Sequence, residues 1–289
     1  SNSQMPANLP REWYILEEKF RNEKDLEKKI ELLRELIGIT PKHKGTENLL
    51  AELRRRLAKL EEMLEKRSRK SGKKIKLIEK SGDILVSILG FTQVGKSTLL
   101  KLLTNANVEI GDKPYTTKEP VTGVCFYKGV YIQFVEIPSF FLREHLSICH
   151  SSDLLILLVR NEDELKEIEK ILEANRLKNK PKIVIMKSIN RSVLFENIEA
   201  SKEFSELLDG ILKQANIVRV FMKPPGKEVE KRAVVLKEGA TIRDLIERLN
   251  SAWLKTFKFA RIFDNTEFSG KRVGLDYKLK DGDIVELHF

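Results

Sequence analysis

Residues 90–98 read Gly90-Phe91-Thr92-Gln93-Val94-Gly95-Lys96-Ser97-Thr98, the pattern G-x-x-x-x-G-K-[ST]. The residue types suit one task, the grip of a phosphate chain. Glycines let the backbone curl until successive N–H groups point at one anion, and a following helix adds its positive N-terminal potential. Lys96 supplies a mobile cation, and the Ser97 hydroxyl can join the oxygen shell of Mg²⁺. Gly90, Gln93, Val94, Gly95, Lys96, Ser97 and Thr98 are therefore the candidate phosphate-binding residues. So short a pattern also arises by chance, so its setting decides its meaning. Ile84–Leu89 reads as a buried strand and Ser97–Leu103 as a helix, the strand–loop–helix context that the chemistry needs.

The elements around this loop fall into three stretches. Residues 12–37 read as one amphipathic helix, with Leu16, Phe20, Leu26, Ile30, Leu33 and Ile37 near helical spacing. Gly38-Ile39-Thr40-Pro41 stops it, and Thr46 is placed to cap a second helix carrying Leu49, Leu53, Leu57, Leu60 and Leu64. The pair predicts a helical hairpin, followed by a basic linker over 66–74. From Gly82 the pattern turns α/β, with strands at 84–89, 124–128, 131–136, 154–159 and 182–187 and helices near 97–104, 162–177 and 201–213. Such alternation implies a mostly parallel sheet with its ligand edge at the strand carboxyl ends. After Asn216, strands at 217–222, 234–236, 259–263 and 283–287 surround a helix capped by Thr241, which predicts a small ubiquitin-like α+β unit. The expected domains are thus 1–80, 81–216 and 217–289.

Composition narrows the setting. The 289 residues are 41% hydrophobic and 33% charged, a globular rather than disordered balance. No apolar run approaches the roughly 18 residues of a membrane span, and residues 1–20 lack the basic head and apolar core of a signal peptide. Ser1–Gln4 reads as a remnant ahead of a start at Met5. Cys125 and Cys149 lie in apolar surroundings without metal-ligand spacing, as expected of free thiols in a reducing cytoplasm. The net charge of +10 is unevenly spread: residues 1–80 carry +7, residues 217–289 carry +4 and the middle carries −1. Basic flanks around a neutral centre suit a polyanion such as RNA, although many mildly basic proteins bind none.

The motifs together resemble the Obg-related, developmentally regulated GTP-binding proteins, or DRG family. Thr40-Pro41-Lys42-His43-Lys44-Gly45-Thr46-Glu47 is similar to that family's N-terminal helical region, and Pro114-Tyr115-Thr116-Thr117 with Gly123 to its first switch. Lys223-Pro224-Pro225-Gly226, Lys258-Phe259-Ala260-Arg261 and Lys280-Asp281-Gly282-Asp283 resemble a TGS domain. The implied fold class is α/β: a P-loop NTPase, G-protein-like domain with an N-terminal helical hairpin and a C-terminal ubiquitin-like (TGS, β-grasp) α+β domain. The resemblance implies GTP as ligand, Mg²⁺ held by Ser97 and Thr117, and a role on ribosomes or RNA. A protein regulator is a further implied partner.

Three departures qualify the resemblance. The second-switch motif, usually Asp-x-x-Gly, stands here as Glu136-Ile137-Pro138-Ser139, so the carboxylate is one methylene longer and glycine's freedom is lost. Phe140 follows where Ras-like enzymes place a water-orienting glutamine, as is normal in the Obg-related group, and predicts slow hydrolysis. The guanine-reading Asn-Lys-x-Asp aligns with Met186-Lys187-Ser188-Ile189, where only Lys187 matches. Isoleucine cannot accept guanine's hydrogen bonds, so base discrimination should weaken. The insertion that relatives carry in the G domain is absent. No residue stands out as a general base. Three readings stay open: a Mg²⁺-dependent GTP-binding regulator with slow or partner-dependent hydrolysis, a non-enzymatic RNA- or ribosome-binding scaffold, and an NTPase that accepts ATP.

Overall fold

The computed structural model describes residues 9–71, 82–91, 94–104, 121–138, 143–186, 202–263 and 270–289. Gln93, Thr117, Ser139, Phe140, Lys187 and Ile189 lie outside the described residues. Packing divides the chain into two units. One draws on residues 1–80, 85–124 and 133–204, the other on residues 81–84, 125–132 and 205–289.

The N-terminal helix expected over 12–37 is two helices, α1 (Arg11–Asn22) and α2 (Leu26–Ile39). The break has a local cause that hydrophobic spacing alone concealed. Glu23 is extended, and the Asp25 side chain accepts the Lys28 N–H at 3.4 Å to start α2 afresh. With the chain folded back, Trp13 and Phe20 of α1 bury against Leu32, Leu33, Leu36 and Ile37 of α2. The Trp13 indole N–H donates to Thr40 Oγ1 at 2.8 Å, which fixes the bend. Thr46 does not cap the next helix. Its hydroxyl sits in a short 3₁₀ turn and donates to Pro41 O at 2.5 Å, while the His43 side chain caps that turn. Helix α3 (Glu47–Ser71) then packs along α2 and absorbs residues 66–71 of the segment expected as a basic linker.

The helices of this segment belong to the same packed unit as the phosphate loop. Strands β1 (Ile84–Leu89), β2 (Val121–Tyr127), β3 (Val130–Glu136), β4 (Leu154–Val159) and β5 (Lys182–Met186) form a sheet in the order β2-β3-β1-β4-β5. The central pairs β1–β4 and β4–β5 are parallel, with Leu89 opposite Leu157 and Val159 opposite Met186. Every residue of β1 and β4 is buried, as a parallel sheet covered on both faces requires. Helices α4 (Lys96–Thr104), α5 (Arg143–Ser151) and α6 (Glu162–Ala174) follow strands β1, β3 and β4. Leu85, Leu89, Leu155 and Leu157 pack with Leu146 and Ile148 of α5 and Ile168 and Leu172 of α6. Burial pushes the Cys149 thiol up to about 12, which keeps it protonated and inert.

The second unit contains helix α7 (Lys202–Gln214) and strands β6 (Ile217–Met222), β7 (Val234–Lys237), β8 (Phe259–Phe263), β9 (Lys271–Val273) and β10 (Ile284–His288). The strands run in the order β7-β6-β10-β8-β9. Helix α8 (Ile242–Asn250), capped by Thr241 as expected, lays Ile242, Leu245 and Ile246 on Val218, Val220, Ala260, Ile262, Val285 and Leu287. This is a ubiquitin-like α+β fold. The edge strand β9 here, like helix α5 in the first unit, is an element that the sequence pattern did not reveal.

Candidate phosphate and nucleotide site

The described residues at the two ends of the loop between β1 and α4, Gly90 and Gly95, carry the constraints that the motif expects of its glycines. Gly90 is packed so tightly that an added Cβ would stand 2.6 Å from Leu158 O and 2.7 Å from Val94 Cγ1. Gly95 adopts φ +100°, a conformation that L side chains resist, and its carbonyl accepts the Leu99 N–H at 2.9 Å as the helix begins. The loop is thus held by its own backbone and by Val94, which is buried. Ser97 and Thr98 lie in the first turn of α4, whose N–H groups have no partner within the helix itself.

Lys96 is buried at 5% exposure, and its Nζ donates to Gly90 O at 2.5 Å. Burial pushes its ammonium below the ordinary value, while Glu136, Glu31, Glu35 and Glu164 act to raise it. Two of these carboxylates come from α2 and one from α6, so the helical segment contributes to the field at the phosphate loop. The route is built in detail. Arg160, just past β4, donates to Glu164 and to Glu35 Oε1, the latter at 3.4 Å. Burial works against the Arg160 charge, yet Glu164 and Glu35 outweigh it and raise the group. At the helix end, a Cβ on Gly38 would meet Glu164 Cγ at 3.2 Å and Phe91 of the loop at 3.8 Å. Glu167 of α6 ties in the rest of the helical segment, pairing with Arg54 of α3 at 2.9 Å and with Lys42, between α2 and α3, at 3.2 Å.

Glu136 ends β3 beside the loop. The Ser97 hydroxyl reaches both of its carboxylate oxygens, at 2.8 and 2.9 Å. The longer side chain therefore still arrives at the hydroxyl, and the two groups bring hard oxygen donors to one point next to the phosphate grip. That donor chemistry fits Mg²⁺. On the base side, β5 ends at Met186, which is 41% exposed. A methionine stands where the motif would place asparagine.

The structure thus brings Gly90, Val94, Gly95, Lys96, Ser97 and Thr98 together and adds Glu136 to them. Sequence reasoning missed Glu31, Glu35, Arg160 and Glu164. Only the placement of Glu31 and Glu35 at i, i+4 among Ile30, Leu32, Leu33 and Leu36 hinted that these charges face inward.

A strand–loop–helix phosphate grip on a five-stranded α/β sheet, joined to a ubiquitin-like unit, defines a P-loop GTPase domain with a TGS domain. A family model described as a 50S ribosome-binding GTPase matches residues 85–188, and a TGS domain model matches residues 218–288. An uncharacterized GTP-binding protein of Methanocaldococcus jannaschii is 27% identical, with 91% of this chain and 92% of that protein covered. Developmentally-regulated GTP-binding protein 2 of Homo sapiens is 24% identical, covering 91% of this chain and 98% of that protein. Over most of its length the chain is thus similar to developmentally regulated GTP-binding proteins, with a GTPase model and a TGS model matched in that order. The alignment to the archaeal relative runs over 361 positions, more than the 289 of this chain, so it includes segments with no counterpart here. Among solved structures, the G domain of the T. maritima FeoB iron transporter is similar at 23% identity with a TM-score of 0.34, covering 46% of this chain and 98% of that one. Aquifex aeolicus Era is similar at 24% identity with a TM-score of 0.31, covering 46% and 47%. No helix among the described residues is long and apolar enough to cross a membrane.

Proposed function

We propose that this protein is a cytoplasmic, Mg²⁺-dependent regulator that binds a nucleoside triphosphate, GTP in the first instance, and acts on RNA or ribosomal particles. The observation that supports the reading is the pair of contacts at the loop's described ends, Lys96 on Gly90 O and Ser97 on Glu136. In this reading the backbone from Gln93 to Thr98 cradles the phosphates, and Lys96 offsets their charge. Ser97, Glu136 and, through the first switch, Thr117 would hold Mg²⁺, which supplies charge neutralisation between the phosphate oxygens. Lys187 would flank the base. Hydrolysis is slow or partner-dependent, since Phe140 cannot orient a water and no residue is assigned as a base. The basic N-terminal segment and the basic C-terminal unit would meet the RNA.

Met186 at the end of β5 favours a second reading on one point, relaxed base choice that admits ATP. Competition settles the point. Labelled GTP is bound in Mg²⁺ and displaced with unlabelled GTP, GDP or ATP, and turnover is followed by phosphate release. Displacement by ATP at the same concentration as GTP removes guanine selectivity from the proposal. Absence of saturable nucleotide binding removes the regulator and leaves the scaffold.

A further inference from the structure

The ubiquitin-like unit has one sheet face packed on α8 and a second face that the strand registers turn the other way. Ile284 lies opposite Phe263, Glu286 opposite Arg261, and His288 opposite Phe259, while Arg261 also lies opposite Arg272. Since alternate residues share a face, Phe259, Arg261, Phe263, Arg272, Glu286 and His288 stand together away from the core. Lys223, one residue past β6, reaches the same row and pairs with Glu286 at 3.0 Å. The β6 end of this face is occupied by the β2–β3 turn. There the Arg219 guanidinium donates to Lys128 O at 2.9 Å, and a Cβ on Gly129 would stand 2.7 Å from the Phe221 ring.

The β8–β9–β10 end is built differently. The His288 ring stacks on Phe259 with centroids 4.4 Å apart and planes 12° apart. The Arg272 guanidinium lies over the same ring, 3.7 Å from its centroid, and Arg261 is 5.7 Å from it. Three flat groups thus form one ladder, with the half-exposed His288 ring at one end and the exposed Arg272 plane at the other. Burial acts to raise the Glu286 carboxyl, but hydrogen bonds from Lys223 and His288 outweigh it and hold it below its ordinary value. Lys223 and His288 engage the Glu286 carboxylate, and the exposed Arg272 brings positive charge to the ladder.

We propose that this ladder is a binding platform for single-stranded RNA. Flat exposed planes offer a base a stacking surface, and the neighbouring guanidiniums offer its phosphates charge-assisted hydrogen bonds. An acidic peptide would use the charges but has no need of the planes, so stacking separates the two partners. The inference rests on the RNA reading given above and assigns it to particular residues.

The test uses the full chain and a fluorescein-labelled single-stranded RNA of mixed sequence, about 12 nucleotides long. Anisotropy titrations at several salt concentrations compare wild type with Arg261→Ala/Arg272→Ala, Arg272→Lys and Phe259→Leu. The double variant is expected to weaken binding about tenfold or more and to flatten its salt dependence. Arg272→Lys keeps the charge but loses the plane, so a several-fold loss with an unchanged salt slope is the signature of stacking. Wild-type binding that all three variants retain overturns the platform and leaves the RNA reading to the N-terminal basic segment. Wild-type protein that binds no RNA at low salt overturns both. Tighter binding of a poly-glutamate peptide than of RNA, lost in the same variants, overturns RNA in favour of an acidic protein.

Discussion

The phosphate loop and the open face of the C-terminal sheet both present cations, but they treat charge in opposite ways. Lys96 is buried, anchored on a backbone carbonyl and set among carboxylates from three elements. Arg272 is exposed and rests on an aromatic ring, while Arg261 beside it is half-buried. On the proposed reading, affinity in the first region would depend on a cage that the fold must hold rigid, and in the second on side chains whose removal leaves the core intact. Function and stability would then be coupled at the loop and separable at the sheet.

The coupling is broken most severely at Gly90. Gly90→Ala would press a methyl against the Leu158 carbonyl and Val94, and backbone has little room to yield. We expect about 1–3 kcal/mol of destabilisation by denaturant titration, together with loss of nucleotide binding. At the interface between helices, Glu167→Gln is expected to cost about 1.5 kcal/mol, because the half-exposed Arg54 discounts a pair that Lys42 reinforces. Burial acts to raise the Glu167 carboxyl, but Arg54 and Lys42 win and lower it. A depressed carboxyl stabilises the fold above its unfolded value and loses that contribution as pH falls through the folded one. Denaturant midpoints followed from about pH 6 to pH 3 should therefore decline less steeply in Glu167→Gln than in wild type.

Ser97→Ala probes the metal side. It strips the hydroxyl from buried Glu136, with an expected cost of about 1 kcal/mol, and should abolish the Mg²⁺ dependence of triphosphate binding. Magnesium titration of nucleotide affinity reads this directly. The smallest effect is expected at the sheet, where Arg272→Ala should change stability by less than about 0.5 kcal/mol. A larger loss in thermal or denaturant unfolding would mean that the ladder is structural and that the contrast between the regions is false.

The two regions also differed in how far the sequence revealed them. The phosphate grip is contiguous, so its residues and the strand and helix around it could be read directly from the chain. The Ser97–Glu136 contact spans 39 positions and needed the order of β1 and β3 to become visible. The platform was hidden further, because Phe259, Arg272 and His288 meet only through strand register, and β9 is three residues long. The break at Glu23–Asp25 was missed since apolar spacing carries across it, while one extended residue and one cap decide the fold locally. Glu31 and Glu35 show their place only in the fold, where both are buried and their charge acts on Lys96.

The central claim is that the caged Lys96 holds a nucleoside triphosphate. Equilibrium titration of wild type and Lys96→Ala with a fluorescent GTP analogue in Mg²⁺ tests it most directly. The account predicts saturable one-site binding by wild type and a loss of about 100-fold or more in Lys96→Ala, with circular dichroism unchanged. Equal affinity in the two proteins would contradict it.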